Sequence, residues 1–125
     1  MKNGAFPEKL LKEILEEAYL AQVDHNYDKA IYFYRTVHQA DEPLTGDDHA
    51  RFAYALEHSD CLDEAIHHYT LAVESNPERS NWAYNLGLAH FDRGNLAKAE
   101  ESYRKVISGD PKCDKAYFAL ATVQM

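Results

Sequence analysis

Residues 65–69 read Ala65-Ile66-His67-His68-Tyr69, followed by Ala72-Val73 and Asn76-Pro77. Residues 99–103 read Ala99-Glu100-Glu101-Ser102-Tyr103, followed by Val106-Ile107 and Asp110-Pro111. Ala65 and Ala99, Tyr69 and Tyr103, and Pro77 and Pro111 each stand 34 positions apart. A further copy, the first in chain order, lies upstream, Ala30-Ile31-Tyr32-Phe33-Tyr34 and then Val37, at a spacing of 35 from Ala30 to Ala65. Its extra residue falls in the loop before Pro43, where an insertion costs little closure entropy. A fixed period of this length marks a chain built from stacked supersecondary units, each too small to bury its own apolar side.

Each copy holds two helical stretches separated by a short polar turn. In the last copy Trp82, Leu86, Ala89 and Phe91 recur at helical spacing, and Gly94-Asn95 interrupts. Gly94 suits the left-handed conformation that ends a helix, and the Asn95 side chain is expected to cap the next one. Leu96, Ala99, Tyr103, Val106 and Ile107 then form an apolar stripe with steps of three and four. Pro111 cannot continue a helix and so closes the unit. Asp60-Cys61 and His25-Asn26 make the equivalent turns upstream, and Pro7 can start the first helix. The spacing predicts an all-α chain of about seven helices near 7–23, 27–40, 46–58, 62–75, 80–93, 96–108 and 114–124. Short loops make successive helices antiparallel.

This pattern resembles the tetratricopeptide repeat, whose first helix carries W-x2-L-G-x2-Y and whose second carries A-x3-F and a closing proline. The likeness runs from about residue 10 to 125. The third copy reads Ala83-x2-Leu86-Gly87-x2-His90, keeping the Leu-Gly pair, with Trp82 one place before the tryptophan slot. The second reads His49-x2-Phe52-Ala53-x2-Leu56, again large then small. In the first, Ala18 fits the small slot but Glu17 occupies the large one. The resemblance implies one domain over 1–125, an α-solenoid with a right-handed superhelical twist. Its repeats would lie near 11–45, 46–79 and 80–113, with a capping helix at 114–125 in which Tyr117-x2-Leu120-Ala121 repeats the first-helix pattern.

In this family the first helix of each hairpin lines a concave face that holds extended or helical peptides. Carried over residue by residue, the resemblance implies a groove of Arg51, Tyr54, Tyr84, Asn85, Leu88, Lys115, Phe118 and Thr122. Asp47, Asn81 and Asp92 would lie at its rim. Tyr54, Tyr84, Leu88 and Phe118 would form an aromatic and apolar floor; Arg51, Asn85 and Lys115 would donate to carboxylates or peptide carbonyls. The alternative for Tyr84 and Phe118 is packing between hairpins. One subfamily grips chaperone C-termini through a five-residue clamp of Lys, Arg and two Asn. Here only Asn85 and Lys115 match, while Ala50, Tyr54 and Ala119 stand at the other places, so that clamp is not expected.

Composition narrows the partner. The net charge is −8, from 21 acidic and 13 basic side chains, which disfavours nucleic acid and anionic membrane surfaces and leaves a protein or peptide partner. No run nears the roughly 18 apolar residues of a membrane span, and Met1 to Pro7 has no apolar leader core. Two cysteines without metal spacing, Cys61 and Cys113, suit a reducing compartment, here the cytoplasm. Phe118, Leu120, Val123 and Met125 give the last helix more apolar surface than a cap needs. That surface could meet a longer array or another copy of the chain, making a homo-oligomer, or it could simply be an oily cap.

Catalytic and cofactor sites are not expected. No phosphate loop or nucleophile elbow occurs, and the acidic pairs Glu16-Glu17 and Glu100-Glu101 read as solvated helix faces. The seven histidines read as solvated or half-buried. His67 and His68 are neighbours about 100° apart around a helix, and the others fall in different helices or turns, so no metal is expected.

Overall fold

The computed structural model describes residues 6–125, so most of the stretch read as leader-free lies outside the described residues. Among these residues there are seven helices and no strand: α1 (Glu8–Val23), α2 (Tyr27–Gln39), α3 (Gly46–His58), α4 (Leu62–Ser75), α5 (Ser80–Arg93), α6 (Leu96–Gly109) and α7 (Asp114–Val123). Every boundary lies within a residue of its sequence-based expectation. None of the helices is long and apolar enough to cross a membrane.

The helices pair as the hairpins α1–α2, α3–α4 and α5–α6, and each hairpin packs on the next through α2 on α3, α4 on α5 and α6 on α7. The repeated residues do the packing. Ala30, Ala65 and Ala99 are wholly buried, as are Tyr34 and Tyr69, with Tyr103 at 1% exposure. The small slots of the first helices, Ala18, Ala53 and Gly87, are buried as well. At Gly87 the reason is explicit, because a Cβ there would run into the Tyr103 ring. A larger residue would push that buried ring away and cost the closeness of the two helices. The Tyr69 hydroxyl reaches Glu57 across its hairpin at 2.9 Å, which satisfies the one polar atom the buried ring carries.

The odd-numbered helices approach one another on one side of the stack. The Arg51 guanidinium of α3 lies 4.9 Å from the Tyr19 ring of α1, and Lys115 of α7 lies 4.4 Å from the Tyr84 ring of α5. The even-numbered helices meet on the other side, where Arg35 of α2 pairs with Glu64 of α4 at 2.6 Å. Alternation of helices thus gives the stack two chemically distinct faces.

The three hairpin turns share one backbone design. His25, Asp60 and Gly94 adopt positive φ of 59°, 62° and 86°. The following amide then bonds back five residues, Asn26 to Ala21 at 2.8 Å, Cys61 to Leu56 at 2.9 Å and Asn95 to His90 at 2.8 Å. This is the Schellman arrangement, which satisfies carbonyls left open at a helix end. Asn26 caps α2 by accepting from the Lys29 amide at 3.3 Å. Asn95 does not do so for α6, contrary to the sequence expectation; its side-chain nitrogen instead lies 3.4 Å from Nδ1 of His90. The buried imidazole thus gives the Asn95 amide a polar partner away from the helix end.

Only the third turn uses glycine, the residue that tolerates this conformation without a steric cost. Asp60→Gly is therefore expected to stabilise the fold by about 0.5–1 kcal/mol, read as a higher urea midpoint with an unchanged m-value.

Candidate peptide-binding face

The eight groove residues expected from the sequence lie on α3, α5 and α7, and they line two hollows rather than one trough. Tyr84, Leu88, Lys115, Phe118 and Thr122 line an apolar cleft of about 480 Å3 between α5 and α7. Arg51, Tyr54 and Asn85 line a more polar hollow of about 340 Å3 between α3 and α5. The break between them follows from the helix turn. Tyr84 and Asn85 are sequence neighbours, so their side chains leave α5 about 100° apart and face different neighbouring helices.

The apolar cleft is deeper than the sequence suggested because Phe91, Tyr103 and Ala119 also line it. Tyr103 comes from a second helix, and it reaches the cleft because Gly87 leaves α5 open behind it. Tyr84 and Tyr103 meet with ring centroids 5.8 Å apart, which makes a continuous aromatic wall. Burial pushes the Tyr103 phenol up to about 12, with Tyr84 and Asp92 adding to the shift. Phe118 is 73% exposed. It stands on the open side of the cleft and is not packed between hairpins. Lys115 lies over Tyr84, placing a cation at the cleft's edge, and the Thr122 hydroxyl donates to the Phe118 carbonyl at 3.0 Å.

The polar hollow has its own order. Arg51 sits between Asp48, at 3.6 Å, and the face of Tyr19. Arg79 stacks on Trp82 at 4.2 Å and pairs with Asp47 at 3.3 Å. Trp82 is buried with its ring against Gly46, so it supports this hollow from below. Tyr54 is 39% exposed and packs on His58 at 4.2 Å. Of the rim residues, Asp47 and Asn81 do border this hollow, while Asp92 is exposed beside the apolar cleft's wall. Gln22, Arg79 and Trp82 were not in the sequence-derived set. Arg79 lies in a loop, ahead of the helical spacing that selected the others.

The repeat, the buried small slots and the helical hairpins converge with comparison to known proteins. The family model for the tetratricopeptide repeat matches residues 49–114. The chain belongs to the tetratricopeptide repeat family. No curated protein matches it by sequence. Among solved structures it is similar to MamA, with a TM-score of 0.83 at 21% identity over 90% of this chain and 66% of that one. It therefore spans slightly under two thirds of the MamA chain. It is also similar to the first TPR of Spaghetti (RPAP3) bound to the HSP90 peptide SRMEEVD, with a TM-score of 0.79 at 22% identity, covering 94% of this chain and 93% of that one. The second TPR domain of human RPAP3, in complex with the HSP70 peptide SGPTIEEVD, gives 0.78 at 18% identity, covering 92% and 98%. At identities this low the structural likeness shows a shared fold alone.

Proposed function

We propose that this chain is a protein-interaction module that holds a peptide or protein segment across the face of its odd-numbered helices, the concave face of the family. The observation that carries this reading is the apolar cleft of Tyr84, Leu88, Phe91 and Phe118, lying next to a hollow that offers Arg51 and Asn85. An apolar side chain of the partner would seat in the cleft and exclude water there. A carbonyl or carboxylate beside it would take donors from Asn85, Arg51 or Lys115. A rigid aromatic anchor with a few directed polar groups is how most interface energy is concentrated. Tetratricopeptide modules are typically non-catalytic, and solved relatives of this fold hold acidic peptides.

The partner need not share the chaperone-tail chemistry. Ala50, Tyr54 and Ala119 occupy three of the five clamp places, and Ala119 lines the apolar cleft. The reading is instead of a segment with an apolar anchor flanked by one acidic or carbonyl acceptor. Capture from lysate by the Asn85→Ala, Phe118→Ser double variant is expected to fall at least about tenfold, since two anchor contacts of about 1–2 kcal/mol each are removed. Helicity should be unchanged. Undiminished capture of the wild-type partner by that variant would overturn the groove.

A second reading rests on α7, where only Ala116 is buried and Tyr117 and Phe118 are exposed. Here the last helix pairs with a second copy of the chain. Light scattering across a concentration series then shows a dimer that Phe118→Ser dissociates. A monomer at every concentration excludes it.

A further inference from the structure

Four histidines meet where the end of α2, the start of α3 and the middle of α4 pack together. His38, His67 and His68 each place a ring nitrogen within 4.8 Å of the other two. From sequence, His67 and His68 are neighbours about 100° apart around one helix, and His38 lies on another, so no cluster is expected. The hairpin-on-hairpin packing of α2 beside α4 brings them together. His68 is 1% exposed, so it is neither solvated nor half-buried as the sequence suggested. His38 and His67 are exposed and border it with ring centroids 5.0 Å away in each case.

His49 supports the cluster from the side. Its Nδ1 lies 3.0 Å from Nδ1 of His68, with the two rings stacked at 5.2 Å. An imidazole has two nitrogens, so His68 can engage His49 through Nδ1 and keep Nε2 for another ligand. Burial and the neighbouring rings hold His68 down to about 3 and lower His49 as well. The nearby fixed cation is Arg35, whose guanidinium is held by Glu64 at 2.6 Å.

We infer that His38, His67 and His68 form a site for a divalent transition-metal ion of the zinc type, with His49 positioning the buried ring. Imidazoles are ligands that zinc, copper and nickel favour, and calcium and magnesium do not. Zinc–nitrogen bonds of about 2.0–2.1 Å put tetrahedral ligand atoms about 3.3 Å apart. Rotation of the two exposed side chains closes the remaining gap while His68 stays fixed. Three protein ligands leave a fourth position for water. His49 plays the part usually taken by a carboxylate or carbonyl behind a metal-bound imidazole. The ion would tie α2 to α4, and hence the first hairpin to the second, on the side away from the two hollows. The site is therefore independent of the peptide reading.

Calorimetric titration of the purified chain with zinc chloride tests it. The expectation is one ion per chain with a dissociation constant of about 10 μM or tighter, and a melting temperature that rises with added zinc. His38→Gln with His67→Gln should weaken binding at least about tenfold and remove the thermal shift. His67→Gln alone, at an exposed position, carries the same expectation in direction. His25→Gln, outside the cluster, should bind as the wild type does. Wild-type binding weaker than about 100 μM, or equal binding by the double variant as for an adventitious ion only, overturns the site. So does equal loss in the His25→Gln control.

Discussion

A tyrosine ring on each second helix needs the space that a small residue leaves on the first, and the rest of the stack depends on that contact. The offset is constant: Ala18 to Tyr34, Ala53 to Tyr69 and Gly87 to Tyr103 are each 16 positions apart. All six residues are buried. Burying a ring of this size supplies a large share of a hairpin's apolar stabilisation, on the order of 2–3 kcal/mol each. It does so only if the helices come close enough for the ring to be covered on both sides. Alanine and glycine in the first helix permit that closeness, and the next hairpin covers what remains. Stability in such an array is a sum of neighbour terms, so each interface matters in its own right.

The helices were legible because their signals are local and repeated. Gly94 and the proline of each exit loop punctuate the chain, and the Ala-x3-Tyr step recurs in phase, which is why all seven ranges agree with the structure. Side-chain alternatives near a turn were less legible. Asn95 stands where a capping residue belongs, yet its amide turns to His90, a choice set by which residue fills the slot four or five positions back. The eight residues expected to form a groove lie on three helices, but their division between two hollows was not legible. Which side of α5 Tyr84 and Asn85 each serve depends on the rotation of α5 between α3 and α7. The histidine cluster was the least legible, since His38 and His68 are 30 positions apart and their meeting depends on how one hairpin rests on another.

The alternation of helices separates two kinds of chemistry. On the odd-numbered side, aromatic rings are left partly open and cations lie across their faces, as Lys115 on Tyr84 and Arg51 on Tyr19. Each ring face offers its cation an electrostatic contact, and Arg51 is also paired with Asp48 at 3.6 Å. On the even-numbered side, ion pairs such as Arg35 with Glu64 and packed imidazoles link successive hairpins. One side leaves its rings and hollows open, and on the other side chains link successive hairpins. The excess of acidic residues, 21 against 13, is offset locally, because Arg51, Arg79 and Lys115 line the hollows and screening over about 8 Å limits the reach of the remainder.

The most direct test of the central contact is circular dichroism of the single hairpin spanning residues 46–79, prepared as a separate peptide beside the whole chain. It contains Ala53, Ala65 and Tyr69 but no neighbouring hairpin to cover them. The expected spectrum is largely unfolded at room temperature, while the whole chain is highly helical and melts in one transition. A peptide that is stably helical alone, with a cooperative melt of its own, would contradict the dependence of each hairpin on the next.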